Sequence, residues 1–478
     1  MNKNLLITNS IPYVNASPHV GHALEFIQSD TIARYYRLLE NKVLLLCGSD
    51  ENAIKNVQAA DKSKINLQKF IDEHAKEFQQ LAESLNVKFD IFQKGSDQKH
   101  HFISSQRLWR LCNENDDIYK KDYEGLYCVG CETFYTKEEL GENGECHEHP
   151  GRQLEKVIET NYFFRLSKYQ NKLIDLIQSD SLKIYPEKRK NEVLGFLKQP
   201  LRDISISRLN ERARNWGVPV PNDSTQKIYV WFDALNIYQS GIGFGWDDKL
   251  YKEWWPAKIH VIGKGIVRFH AVYWPAFLLS AKLKLPQSLF VHDYLTVNGQ
   301  KMSKTIGNII DPFSLIKKYG TDAVRYYFLR EISPYSDGDY SEKRMNEVYS
   351  SDLANELGNL LSRITTLAQK DNLSIDKTNL VISQIYPKNL KKHFDNYEFN
   401  LVLESIWTNI RSLNKEINDF TPWSKQANER KTFLISQVQT LNLIGHQLLP
   451  FLPETAEKII QATQNKILKI QPLFPRLK

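Results

Sequence analysis

Two short clusters of polar and basic residues, nearly three hundred positions apart, carry groups that could handle a phosphate chain. Near the start, Pro12-Tyr13-Val14-Asn15-Ala16-Ser17-Pro18-His19-Val20-Gly21-His22 follows the apolar run Leu5-Leu6-Ile7 and precedes a helical pattern over residues 23–39. A strand, a loop and a helix start, in that order, form the setting in which backbone N–H groups and the helix dipole receive phosphate. His19 and His22 add two imidazole donors on either side of Gly21. Far along the chain, Lys301-Met302-Ser303-Lys304-Thr305 places two ammonium groups around a Met-Ser pair. Together the clusters predict a site for a nucleoside triphosphate, to which Lys301 and Lys304 add cationic charge.

A third cluster points to a metal. Cys128-Val129-Gly130-Cys131 is followed after fourteen residues by Cys146-His147-Glu148-His149. The spacing offers three thiolates and one imidazole, Cys128, Cys131, Cys146 and His149, a closed tetrahedral set suited to one structural Zn2+. His147 is the alternative imidazole, and a redox pair is the alternative use of Cys-x-x-Cys. A fourth feature is Asp50, just past the buried run 43–47. A carboxylate at the end of a parallel strand can hold an ammonium group, or it can cap the next helix.

The elements that must position these groups read as follows. Residues 5–8 and 43–47 are short continuous apolar runs, as buried strands are. Residues 31–39 and 67–85 carry helical periodicity, so the opening alternates strand and helix and implies a parallel sheet. From about 115 to 225 the chain is polar and rich in turns. Strand-like runs return at 228–232 and 259–262. From about 346 the pattern is helical: Leu403, Ile406, Trp407, Ile410, Leu413, Ile417 and Phe420 recur at i, i+3, i+4 and i+7, and 437–449 repeats it. A polar loop with Asn372, Asp376 and Pro387 separates two such helices. The fold class is therefore α/β, a nucleotide-binding parallel sheet split by an insertion, followed by a helical bundle.

The ordered motifs resemble those of the methionyl-tRNA synthetases, a family of class I aminoacyl-tRNA synthetases. The resemblance spans the whole chain. It includes Gly48-Ser49-Asp50-Glu51, the Cys/His knuckle, Leu201-Arg202-Asp203-Ile204-Ser205-Ile206-Ser207-Arg208, Trp216-Gly217-Val218-Pro219-Val220-Pro221, Tyr229-Val230-Trp231-Phe232-Asp233-Ala234, and Ile262-Gly263-Lys264 with Phe269-His270. It implies a Rossmann-like catalytic domain in two halves, 1–115 and 226–285, around a zinc-bearing connective insertion at 116–225. A mobile-loop and stem-contact region would occupy 286–345 and an anticodon-binding helical domain 346–478. The activity implied is formation of methionyl-adenylate from methionine and ATP, with Mg2+, then transfer to the 3′ end of methionine tRNA. By resemblance, Gly263 joins His19, Gly21, His22, Lys301 and Lys304 around ATP. Ile11, Tyr13, Trp231, Leu235, Tyr238, Phe269, His270 and Trp274 would line the methionine pocket with Asp50, their rings suiting a polarisable thioether. Trp423 would stack an anticodon base, with Asn355 as a weaker neighbour, unless Trp423 is packing at a helix end. Two positions depart from the family pattern. Asn52-Ala53 replaces His-Gly, and Gly265 replaces an Asp expected on the ATP ribose.

Composition is compatible with that implication. The 478 residues allow about three domains. A net charge of +7 is mildly basic, as an RNA partner would favour. Five cysteines, three of them clustered, suit a reduced compartment with a metal site rather than a disulfide framework. The N-terminus runs straight into a strand and no stretch is apolar enough to span a bilayer, so a cytoplasmic monomer free of the membrane is expected. The alternatives are a paralogue serving another acceptor, a divergent second copy of the enzyme, and a non-catalytic tRNA-binding protein.

Overall fold

The computed structural model describes residues 3–477 except 129–132, 136–139, 142, 147–152, 303–306 and 378–379. Its centre is a six-stranded sheet: β1 (Asn4–Asn9), β2 (Lys42–Ser49), β3 (Ile91–Lys94), β4 (Lys183–Tyr185), β5 (Ile259–Gly263) and β6 (Ser288–His292). The spatial order is β3-β2-β1-β5-β6-β4, and every neighbouring pair is parallel. Such a sheet is covered on both faces, so its strands are continuous apolar runs. β1 is buried from Leu5 to Asn9, and β6 along its whole length. Order reverses at β1, with β2 on one side and β5 on the other. Ligands of open parallel sheets bind at the carboxyl ends of strands at such a switch point.

Helix α1 (Val20–Leu38) returns the chain from β1 to β2. The helical reading of 67–85 is met by Leu67–Ser84. The reading of 228–232 as a strand is corrected: the strand Asp223–Ile228 ends where that run begins, and helix α2 (Val230–Ser240) takes over. All eleven residues of α2 are buried. A helix buried all round shows no amphipathic period, and its first turn, Val230-Trp231-Phe232, continues the apolar run 228–232, so in sequence it looks like a buried strand.

The main sheet also reaches beyond the two halves drawn from sequence. β6 lies past residue 285, and edge strand β4 comes from within 116–225. Much of that insertion is a separate antiparallel sheet in which Ile118–Cys128 pairs along its length with Glu155–Phe164. A small sheet follows, with Leu295–Val297 parallel to Gly338–Tyr340 and antiparallel to Gln300–Lys301. The turn between the antiparallel strands is Asn298-Gly299, both at positive φ (51° and 75°), as a tight two-residue hairpin requires.

The C-terminal part is helical apart from a two-residue pairing of Ser374–Ile375 with Asn465–Lys466. Helix α3 (Phe399–Phe420) buries Leu403, Ile406, Trp407, Ile410, Leu413 and Ile417, as the periodicity predicts. Helix α4 (Ala427–Leu448) starts ten residues before the amphipathic run at 437. Arg325, fully buried, ties this part to the sheet domain. Its guanidinium meets Asp30 of α1 at 2.8 Å and donates to the carbonyls of Phe451, Pro450 and Leu85.

Candidate active site

The histidine loop caps its own helix. His19 is the N-cap of α1, and its Nδ1 accepts from Gly21 N at 3.1 Å. Nδ1 of His22 accepts in turn from His19 N at 3.1 Å. The rings stack with centroids 3.9 Å apart, and His22 packs edge-on against Phe78. With both Nδ1 atoms accepting, a neutral ring carries its proton on Nε2, so each histidine is an Nε2–H donor. Burial and the neighbouring His19 hold the His22 pKa well below the usual imidazole value, which keeps it neutral.

This arrangement revises one expectation. Val20 N donates to Ile310 O, Gly21 N to His19 Nδ1 and His22 N to His19 O. The backbone donors of the first turn are therefore engaged, and what the loop offers an anion is imidazole N–H and the helix dipole. Gly21 has a second reason to be glycine. A Cβ there would stand 2.9 Å from Cε1 of His19, inside the ring stack.

The two distant motifs meet at this point. The Met302 methyl lies 3.6 Å from where a Gly21 Cβ would be, and the bond from Val20 to Ile310 fastens the chain beyond the lysine loop to the start of α1. Lys301 is exposed, with its ammonium 5.6 Å from the Tyr294 ring centroid. Lys304 lies outside the described residues. Gly263 closes β5. A Cβ there would sit 3.4 Å from the His292 ring and 3.9 Å from Glu25 Oε2, so glycine keeps this corner open.

Beneath the crevice is a buried polar cluster that sequence reasoning missed. Glu25 accepts from Asn9 Nδ2 at 2.8 Å, Ser10 Oγ at 2.5 Å and His292 Nε2 at 2.8 Å. His292 also bonds the Asp293 carbonyl through Nδ1. Burial opposes its charge, but the Glu25 carboxylate outweighs burial and the pKa is raised. The available signal was spacing. Glu25 falls three residues after His22, on the same face of α1.

Tyr13 and Asp50 are joined by an isolated parallel bridge, and Asp50 N donates to Pro12 O at 2.9 Å. The segment after β1 thus runs on beside the end of β2 and sets the buried Asp50 carboxylate next to Tyr13. Trp231, on α2, meets Tyr13 edge-on at 6.5 Å and stacks on Phe269 at 3.7 Å. Ile11 lies beside Gly48, 3.4 Å from where its Cβ would be. Leu235, Tyr238, His270 and Trp274 are buried behind these rings. Tyr238 donates to His270 Nε2 at 2.7 Å, while His270 Nδ1 bonds Ile266 O at 3.0 Å. Trp274 Nε1 donates to His260 Nε2 at 3.3 Å, and His260 Nδ1 meets Thr8 Oγ1 at 2.5 Å. Both imidazoles are therefore neutral Nδ1–H tautomers. Burial lowers the His270 pKa to about 4 and the His260 pKa well below the usual value. The result is an aromatic pocket without a net charge, beside one carboxylate. It can hold an ammonium at Asp50 and an uncharged, polarisable side chain among the rings.

Comparison with known proteins decides the family. Residues 5–365 match the model of the class I tRNA synthetases (M). The chain is 40% identical over 474 residues to a methionine–tRNA ligase of Thermotoga maritima, covering 95% of this chain and 74% of that protein. It is 39% identical over 481 residues to one from Nostoc, covering 96% and 89%. Among solved structures, Mycobacterium tuberculosis methionyl-tRNA synthetase in complex with methionyl-adenylate superposes with a TM-score of 0.92 at 35% identity, over 99% of this chain and 100% of that one. Its apo form gives 0.84 at 33% identity, over 100% and 99%. The chain belongs to the methionyl-tRNA synthetases.

The departures from the pattern of the methionyl-tRNA synthetases have structural accounts. Asn52 Nδ2 donates to Asp233 Oδ2 at 2.6 Å and to Gly95 O at 2.8 Å, clamping the loop after Asp50 to α2. Ala53 is fully buried at the start of the helix Ile54–Ser63. At Gly265 a Cβ would stand 2.5 Å from the Tyr294 hydroxyl, so the phenol occupies the space a side chain would need. Lys264 covers the same ring at 4.4 Å and pairs with Asp337 at 2.5 Å.

Of the knuckle, Cys128 and Cys146 are described and both are buried, with Sγ atoms 3.2 Å apart. Cys131 and His149 lie outside the described residues. Trp423 sits in the turn Pro422–Ser424 between α3 and α4, and the residue is 54% exposed, so it is not core packing. Arg363 lies 5.7 Å from the ring centroid. Asn355 is exposed two helical turns before Arg363, roughly 12 Å along the helix. Neither residue is part of the crevice. Among the described residues no helix is long and apolar enough to cross a membrane.

Proposed function

We propose that both steps of the reaction are run by the crevice at the ends of β1 and β5. The activity is ATP-dependent ligation of methionine to tRNA, the activity carried by the relatives' names. In the first step a methionine carboxylate oxygen bonds to the α-phosphorus of ATP and the bond to the leaving pyrophosphate breaks. In the second, a hydroxyl of the terminal tRNA ribose attacks the acyl carbon and AMP leaves. Neither step needs a covalent enzyme nucleophile, so catalysis rests on positioning and charge stabilisation.

Asp50 receives the ammonium group, and Ile11, Tyr13, Trp231, Leu235, Tyr238, Phe269, His270 and Trp274 enclose the thioether. Nε2–H of His19 and of His22 donates to phosphate oxygens. Lys301 and Lys304 neutralise pyrophosphate as it departs, with Gly21 and Gly263 leaving space for the nucleotide. Mg2+ accompanies ATP as part of the substrate. Trp423, with Asn355, reads the anticodon of methionine tRNA from the far helical region. On this reading the chain divides into two catalytic halves, a connective insertion that lends one edge strand to the main sheet, a loop region and an anticodon domain. The observation carrying the reading is the meeting of Met302 with Gly21, which brings the two phosphate-handling motifs to one crevice.

A structural Zn2+ in the insertion fits the chemistry of the donors, because two buried thiols eighteen residues apart converge without a disulfide. Cys128, Cys131, Cys146 and His149 would hold it, and bound metal would add to the stability of the insertion. A cytoplasmic monomer suits a zinc thiolate site.

Lys304→Ala should lower methionine-dependent ATP–pyrophosphate exchange more than tenfold, since removing one donor to developing charge costs roughly 3 kcal/mol. Unchanged exchange would remove that lysine from the step. Elemental analysis should find one zinc per chain, lost in Cys146→Ser; metal-free protein of undiminished stability would end the zinc assignment.

A further inference from the structure

The opposite edge of the main sheet carries a second cleft, lined by four lysines and three carboxylates. It has a volume of about 1060 Å³ and lies where β1, β4 and β5 begin, against residues 391–397 of the helical part. The catalytic crevice is at the other ends of the same strands. β5 spans five residues, which puts the two sites roughly 15 Å apart or more.

Three lysines enter this cleft from rigid backbone. Lys3 precedes β1, and its carbonyl accepts from Lys42 N at 3.1 Å. Lys258 precedes β5, with its N–H bonded to Leu6 O at 2.7 Å and its carbonyl taken by Ser288 Oγ at 2.8 Å. Lys183 opens β4, bonded to Gln287 O at 3.1 Å. β1 and β5 are adjacent and β4 is two strands further on, so the three stems span roughly 15 Å.

Among the described residues none of the three lysines has a carboxylate within ion-pair distance. The acids that line the cleft have partners of their own, one of which, Lys391, also lines it. Asp395 pairs with Lys391 at 2.6 Å, Asp180 with Lys190 at 2.7 Å, and Glu253 accepts from Asn4 Nδ2 at 3.3 Å. Lys258 is half-buried. Burial, then the charges of Lys3 and Lys183, hold its pKa below the ordinary lysine value, with Asp395 opposing. Lys183 is held differently: its ammonium lies 4.5 Å from the Tyr185 ring centroid, and that phenol, with Asp180 and Glu187 nearby, raises its pKa. An anion entering the cleft would therefore relieve chiefly Lys258 and Lys3. The half-exposed phenol rings of Tyr36 and Tyr185 line the same cleft; Lys183 covers Tyr185, and Tyr36 provides an apolar face beside the cations.

We infer that this cleft binds a phosphate-bearing small molecule of nucleotide size, held through its phosphates by Lys3 and Lys258, with Lys183 at the rim and its base against Tyr36. The volume suits such a ligand. The cleft joins the sheet domain to the helical part, so an occupant would touch both.

The probe is GDP, because adenine nucleotides also enter the catalytic crevice. It is titrated calorimetrically into the intact chain after the crevice has been filled with methionyl-adenylate formed from methionine and ATP. One equivalent should bind. Lys258→Met should weaken binding at least tenfold and leave methionine-dependent exchange unchanged, whereas Lys301→Met should leave GDP binding unchanged. In wild type, GDP should protect Lys3 and Lys258 from acetylation, read by mass spectrometry, a measurement that needs no variant. Failure of GDP to bind, loss of binding in Lys301→Met with retention in Lys258→Met, or guanosine binding as tightly as GDP would each overturn the proposal.

Discussion

At the scale of single residues, two glycines are explained by their neighbours rather than by a turn. Gly21 is required by the His19 ring stacked over it, which in turn fixes the Nε2–H tautomer of both histidines. Gly265 faces the Tyr294 hydroxyl, and this changes what a substitution there should do. Judged from the family pattern alone, Gly265→Asp restores a ribose-binding carboxylate and improves ATP binding. In this structure the new side chain must first displace a phenol 2.5 Å from its Cβ and covered by Lys264 and Lys301. Gly265→Asp should therefore raise the KM for ATP several-fold with little change for methionine. In a Tyr294→Phe background, which removes the colliding oxygen, the rise should be smaller. An equal rise in both backgrounds would mean that the phenol is not the obstacle. None of this was legible in sequence, because the type of Gly265 says nothing about the ring that faces it.

At the scale of elements, the exposed turn between α3 and α4 sets the anticodon candidate apart from the chemistry. Stacking of a base on Trp423 is worth roughly 1–3 kcal/mol. Trp423→Ala should lower charging of methionine tRNA about tenfold and leave pyrophosphate exchange and the melting temperature near wild type. Normal charging by such a variant would show that no base stacks there. The elements themselves were legible to different degrees. β1, β2, α1 and α3 announce themselves by apolar runs or a long helical period. β3 and β4 are strands of four and three residues, too short to stand out from their surroundings, whereas β6 has the five residues of β5 and is absent from the sequence-based expectations. β4 also comes from inside the insertion, so its place at the sheet edge depends on tertiary pairing with β6. The helix α2 was misread because every one of its residues is buried. At the site, Asp50, Tyr13, Trp231 and His270 could be named from motifs. The hydrogen bonds that make His260 and His270 neutral could not, since Thr8, Trp274, Tyr238 and Ile266 reach them only through the fold.

At the scale of the whole molecule, buried imidazoles give folding stability a pH dependence. His22, His260 and His270 have lowered pKa values, mainly through burial, that of His270 to about 4. As pH falls below about 6.5 the unfolded chain takes up protons that the folded chain refuses, so stability declines, by up to about 1.4 kcal/mol per pH unit per histidine. His292 has a raised pKa, so its contribution is complete below the unfolded value and lost as pH rises through the folded one. Urea unfolding between roughly pH 5 and 6.5 should show stability rising with pH, with a shallower slope in His270→Gln; equal slopes would mean that His270 is protonated in the folded state. The largest claim concerns the joining of two distant motifs and an uncharged aromatic pocket in one crevice. Its most direct test is ATP–pyrophosphate exchange by the intact chain, measured with single amino acids. Exchange should depend on methionine, be weak with leucine or isoleucine, and be absent with lysine or glutamate, whose charges the pocket cannot pair. No methionine-dependent exchange, or exchange driven equally by a charged amino acid, would contradict the account.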